Sequence, residues 1–470
     1  MQQRTYTETV EAIKKFLRTD KSFDVVAHSF EINGREATLF FVNGFAKDEI
    51  LQRVMAYVMS LGGRDLKALH TAGEFEDRYI THISASSEDD IRTIGIQVLS
   101  GLEALVIHGV DKVVMIEARS YPGRSVDEPD TDRVMRGPHD GFVETLILNT
   151  ALVRRRIRDP RLTMEIMQIG EVSATDVVMC YMDGKVDARR LAKLREKLRA
   201  IRIPSLTMAQ ESLAECLVRK QWYNPLPKVR YTERPDCVAA CVNEGQIVLL
   251  VDNSAAAMII PTSFIEFLQD TNDFCFPPLI GTYLRAARTI IFWATLLLMP
   301  LWYLLVKNPA TVPPALQFLL IKTPNEVPIL LQILIVELII DGIKLASLNT
   351  PNALNNAFSV VGGLILGEFA VSAGIFVPEV LLYMAFTATA GFTQPSFELG
   401  YAFKLFRMML VFLIALWDWA GFFIGLGIIL LLLLTTETPL GKQYLYPLFP
   451  FNGKALLRQV FRMPIDKDNC

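Results

Sequence analysis

Apolar residues recur at helical spacing over residues 8–19, where Val10, Ile13, Phe16 and Leu17 share one face, which predicts an amphipathic helix. Runs at 23–28 and 37–42 are strand-like and flank Asn33-Gly34, the turn signature of a hairpin. Helical patterns follow at 47–61 and 88–100. A second hairpin, from Leu105–Gly109 and Val113–Ile116, closes a mixed α/β unit near Arg119. A polar Gly/Pro-containing stretch, 120–138, leads to a second unit. The pattern there predicts a helix at 140–157, strands at 162–169 and 175–182, and a very basic helix at 187–201. Apolar strand runs are expected at 236–242 and 246–251 and a helix at 263–270, and Phe276-Pro277-Pro278 marks the exit from this region.

Beyond Arg288 the apolar stretches lengthen. Residues 289–306 and 419–436 each run for 18 positions without a charge, the minimum for a membrane-spanning helix. Stretches 327–346, 357–376 and 379–393 are apolar with one to three polar intruders, and 408–417 is too short to span alone before Asp418. Four to six crossings are expected. Arg285 and Arg288 abut the first stretch, and Lys442, Lys454, Arg458 and Arg462 follow the last. Both flanks therefore read as cytoplasmic, which requires an even number of crossings. The expected architecture is an α/β bipartite cytoplasmic region followed by an all-α polytopic membrane domain. Its parts are subdomains 1–119 and 120–285, a helical membrane domain 286–440, and a cytoplasmic tail 441–470.

Composition sharpens the division. The 470 residues are 51% hydrophobic, with mean hydropathy +0.31, too apolar for an average soluble protein and too charged for a pure membrane bundle. Residues 1–288 carry 37 basic and 40 acidic side chains, whereas the 182 residues from 289 onward carry 10 of each. A net charge of −3 excludes non-specific nucleic-acid binding as the main task. The polar opening residues Met1 to Tyr6 give no expectation of a secretory signal peptide. Six scattered cysteines, with Cys237 and Cys241 the single close pair, read as small core residues in a reducing compartment. No metal site or cofactor is expected.

The chemistry-bearing candidates are few. Glu337 and Asp341 lie inside an apolar stretch, four residues apart and so on one helical face. Two acids there repel, so at least one is protonated, paired or hydrated. Two readings stand: they line an ion path or gate, or Asp341 sits at the interface and Glu337 makes a structural hydrogen bond between helices. Glu368 follows a surface of Gly363 and Gly367 that permits close helix approach and is a third ion-path candidate; Gly421 and Gly425 form a second such surface. Asp418, between Trp417 and Trp419, reads as a turn or interfacial residue. Arg154, Arg155, Arg156 and Arg158 form the sharpest charge run. They fit contact with anionic headgroups or an acidic partner. They fit equally a helix C-terminus whose cations meet acids of the other subdomain. No nucleophile, phosphate-loop, dinucleotide or zinc motif is present, so enzymatic activity is not expected.

Longer strings carry a family resemblance. Arg136-Gly137-Pro138, Asp140 to Thr145, Asn149 to Arg158, and Pro277 to Arg285 resemble the spore germination receptor A-subunit family. Asn224 to Asp236 and Pro447 to Leu456 resemble its stage V sporulation branch. The resemblance implies the inner membrane of a bacterial endospore. It also implies a homo-oligomer around an ion-conducting path, and partners among membrane lipid, germinant receptor subunits or another spore membrane protein. The branch implies an accessory, amplifying role beside the nutrient receptors. A nutrient receptor subunit proper and an unrelated secondary transporter remain alternatives. The transporter should show inverted repeats, and no such symmetry is visible.

Overall fold

The computed structural model describes residues 5–32, 34–45, 52–53, 55–56, 59–60, 71–72, 85–118, 136–218, 221–321, 326–349, 370–441 and 444–462. The expected stretches at 47–61, 120–138 and 357–376 fall largely outside these residues. The chain divides into two compact units. One comprises Met1–Lys220, Val229–Pro261 and Pro439–Gly441; the other comprises Gln221–Lys228, Thr262–Thr438 and Lys442–Cys470.

Among the described residues, the first unit contains two five-stranded antiparallel sheets. Helix α1 (Tyr6–Leu17) starts at a capping box, with Thr5 and Glu8 each accepting from the other's backbone N–H, at 3.4 and 2.9 Å. Strands β1 (Val25–Ile32) and β2 (Arg35–Val42) form a hairpin, and β3 (Ala85–Glu88) precedes helix α2 (Ile91–Leu99). Strands β4 (Glu103–Ile107) and β5 (Val113–Ile116) complete the sheet in the order β1-β2-β4-β5-β3. Val10, Ile13 and Leu17 of α1 and Ile94 and Val98 of α2 pack on Phe40, Val106 and Met115, burying one face of the sheet.

Helix α3 (Leu146–Arg156) opens the second half, followed by β6 (Leu162–Ile169), β7 (Thr175–Met182), helices α4 (Ala188–Ala200) and α5 (Gln210–Leu217), and β8 (Arg230–Thr232). Helix α6 (Pro235–Asn243) and strands β9 (Ile247–Val251) and β10 (Ala257–Ile260) follow, giving the sheet order β6-β7-β9-β10-β8. Both faces are covered. Val178, Cys180, Val248 and Leu250 meet α3 and α6 through Leu152, Val153, Val238 and Val242. Val177, Met179, Leu249 and Val251 meet α4 and α5 through Leu194, Leu198 and Leu213. Burial on both sides is why β7 and β9 read as continuous apolar runs rather than alternating ones.

Three expectations need correction. Residues 236–242 are helical, not a strand: Pro235 occupies the first turn, Asp236 lies in it, and Val238, Ala239, Cys241 and Val242 bury one helical face. The helix expected at 140–157 begins at Leu146, after the N-cap Thr145. The helix expected at 263–270 is a 3-10 turn over Phe264–Leu268.

The second unit is helical: α7 (Pro278–Lys307), α8 (Ile329–Asn349), α9 (Pro378–Gly391), α10 (Phe397–Thr435) and α11 (Gly453–Val460). Among the described residues, α7 and α10 are long and apolar enough to cross a membrane. Only 44% and 28% of their most apolar stretches are buried within the protein. Helix α10 is folded back on itself. At Asp418 the backbone turns to φ 52°, ψ −127°, outside helical geometry. A Cβ on Gly425 would lie 2.5 Å from the Leu410 side chain, and one on Gly421 would overlap the Leu413 carbonyl. Residues 410 and 425 would be about 22 Å apart along a straight helix. Halves 397–417 and 419–435 therefore run antiparallel. The apolar stretch 408–417, too short to span alone, is the end of a longer helix that begins at Phe397.

Candidate functional site

The helices of the second unit bring four charges together in apolar surroundings. On α8, Glu337 and Asp341 project from one face, as a spacing of four requires. On α10, Lys404 and Arg407 are three apart and face them. Nη2 of Arg407 donates to both carboxylate oxygens of Glu337, at 2.8 and 3.0 Å. Nζ of Lys404 lies 2.9 Å from Oε1 of Glu337 and also binds Asp341. Nη1 of Arg407 donates to the Thr295 carbonyl of α7 at 3.1 Å, so three helices meet here. The cluster is graded in exposure: the Glu337 side chain is 6% exposed and that of Asp341 34%.

The arrangement decides how two acids share one apolar helix. Each carboxylate has a cation within contact distance, so these four groups pair two acids with two bases. Removing one partner of such a buried pair costs about 3–5 kcal/mol, because it strands the other charge. One turn beyond Asp341, Lys344 extends the ladder, with Nζ 5.1 Å from the Phe392 ring centroid and 5.9 Å from that of Tyr401. Lys404, Arg407 and Lys344 were not among the residues singled out from the sequence. The visible signal was the basic pair at spacing three within reach of an acidic pair at spacing four.

The other candidates fall in different places. Glu368, Gly363 and Gly367 lie outside the described residues. Gly421 and Gly425 form the contact of the α10 hairpin, whose tip is held by α7: Nζ of Lys307 is 3.0 Å from Asp418 and donates to the carbonyls of Ile414 and Ala415. Arg285 and Arg288 both bind Asp273, at 3.2 and 2.9 Å.

Of the arginine run, Arg154 is turned inward, fully buried, and unavailable to an outside partner. Its Nε and Nη2 grip the Asp24 carboxylate at 2.7 and 3.0 Å, and Nη2 also reaches Ser22 Oγ and the Leu162 carbonyl. This joins the segment entering β1 to the start of β6. Arg156 binds Asp140 at 2.5 Å, while Arg155 and Arg158 are exposed. Among the described residues, no group of three His, Cys, Asp or Glu side chains converges to hold a metal.

Comparison with known proteins places this architecture. The sequence pattern described as "Bacillus/Clostridium GerA spore germination protein" matches residues 11–469. Stage V sporulation protein AF of Bacillus subtilis (strain 168) is 35% identical, with 98% of this chain and 92% of that protein aligned. Spore germination protein A1 of the same organism is 29% identical over 78% of this chain and 76% of that protein. The N-terminal domain of the A subunit of the Bacillus megaterium spore germinant receptor GerK3 aligns with TM-score 0.43 and 24% identity, over 55% of this chain and 95% of that one. With its length matched almost from end to end, the chain belongs to the GerA family of spore germination proteins.

Proposed function

We propose that the chain is a multi-pass protein of the inner spore membrane that promotes germination as an oligomeric, ion-conducting accessory to nutrient germinant receptors. The observation that carries this reading is the cluster of Glu337, Asp341, Lys404 and Arg407 among apolar helices. Intramembrane ionisable groups face a bundle interior or a water-filled path, since exposure to lipid costs about 2.5–3.5 kcal/mol each. In the paired state, the carboxylates are neutralised and do not form a bare ring that attracts cations. The cluster is then a gate: conduction requires the α8 acids and the α10 cations to part.

Support for this topology comes from the two ends of the helical unit. The first turns of α7 are bonded to the tail, Arg285 to the Gln459 carbonyl at 3.1 Å and the Arg462 N–H to Thr282 at 3.1 Å. Ends that meet lie on one side of a membrane, which supports an even number of crossings. The basic flanks make that side cytoplasmic, the spore core.

The test is potassium and sodium release from germinating spores, measured beside the amount of protein in the membrane. Glu337→Gln, which keeps shape and loses charge, is expected to change release severalfold at normal abundance. Exchanging the pair (Glu337→Arg with Arg407→Glu) should restore abundance if a single substitution lowers it. Normal release from Glu337→Gln, Asp341→Asn at normal abundance would overturn the gate.

A further inference from the structure

The segment after α10 is compositionally unlike the rest of the chain. From Thr438 to Ile465 it holds four basic residues, Lys442, Lys454, Arg458 and Arg462, and no acid. Tyr444 is buried against Phe264 and Phe267, but beyond it several apolar side chains are displayed outward. Phe449 and Phe451 are exposed, the latter by 75%, and on α11 Leu457 and Val460, at i and i+3, form one exposed apolar face, with Phe461 exposed just beyond its last turn.

Its neighbour indicates what covers that face. Leu279, Tyr283, Ile290 and Trp293 of α7 are exposed and share one side of the helix, a stripe that begins at the first turn, where Leu279 is 83% exposed. The apolar stripe therefore reaches the level of Thr282. There Arg462 is fixed through its N–H to Thr282 and through its guanidinium to the carbonyls of Phe274 and Phe276. A close fit at Gly281, where a Cβ would lie 2.8 Å from Arg462 Cδ, keeps the tail against α7.

We infer that residues 444–462 form an interfacial anchor. They lie in the headgroup layer of the inner leaflet, with Phe449, Phe451 and the apolar face of α11 turned into the acyl boundary and Lys454 turned to anionic headgroups. An amphipathic helix with aromatic and leucine residues on one side and cations on the other has that physical preference. Each cation near an anionic surface adds about 1 kcal/mol. The inference rests on the membrane placement of α7 and is independent of ion conduction.

The test uses the full chain in phosphatidylglycerol–phosphatidylcholine vesicles, with photoreactive benzoylphenylalanine in place of Phe451 or, separately, of Ile290. Lipid adducts at both positions are expected, and the yield at 451 should fall severalfold when phosphatidylglycerol is omitted, with 290 unchanged. Adducts at 290 without adducts at 451 would overturn the anchor and leave the membrane placement standing. Absence at both would overturn the two together.

Discussion

Arg154 shows how much one side chain can decide. Its guanidinium is satisfied by a carboxylate, a hydroxyl and two carbonyls, and it is fully buried. Asp24→Asn would strand that charge, so a loss of about 3–5 kcal/mol is expected, read as a lowered apparent melting temperature of the full chain. Arg155→Ala, on the exposed side of the same helix, should change little. Glu165 carries a pH prediction. Burial pushes its pKa up, but hydrogen bonds from Arg195 and Tyr181 outweigh burial and hold it below the ordinary value of 4.5. A depressed carboxylate stabilises the fold above its unfolded pKa and loses that contribution as pH falls through the folded one. Glu165→Gln should therefore flatten the loss of stability below about pH 4.5, measured as melting temperature against pH. The two acids of the α8–α10 cluster were legible because charge inside an apolar run is conspicuous. Lys404 and Arg407 were not, because they precede the apolar run 408–417 rather than interrupt it. Pairing across helices, invisible along one chain, lets those charges be buried.

At the scale of elements, the hairpin of α10 depends on residues without side chains. Gly425→Leu is expected to force Leu410 aside and cost about 1–3 kcal/mol, whereas Gly427→Leu, where a Cβ meets nothing within 4 Å, should be tolerated. Thermal stability of the two variants in detergent extracts checks the contrast. The turn itself was readable from Trp417-Asp418-Trp419. The strands at 162–169 and 175–182 and the basic helix were also readable, because their length and periodicity agree with their burial. Helix α6 was misread: the short run Cys237 to Val242 is apolar at nearly every position, and such a run does not distinguish strand from buried helix. Pro235 and Asp236 were the local signal that does.

For the whole molecule, the change in charge density near Arg288 foretold a two-part chain. The border drawn by contacts is subtler, since segments 221–228 and 439–441 cross from one unit's sequence into the other's packing. Hydropathy along the chain records lengths of apolar sequence and cannot record such exchanges. The proposed sidedness predicts that Cys470, left as the only cysteine, reacts with a membrane-permeant maleimide and resists an impermeant one in intact cells. Labelling by the impermeant reagent would place the C-terminus outside.

Pairing of opposite charges between α8 and α10 has an electrical consequence. A group of two carboxylates and two cations moved as one body through a transmembrane field transports no net charge, so voltage does no work on it. Separating the pairs by sliding α10 past α8 would couple the motion to the field, at about 2.3 kcal/mol per elementary charge per 100 mV. The proposed gate opens by parting these pairs, so its opening should depend on voltage. Lys404→Gln, which removes one of the two α10 charges that part from α8, should make that voltage dependence shallower in currents recorded across planar bilayers.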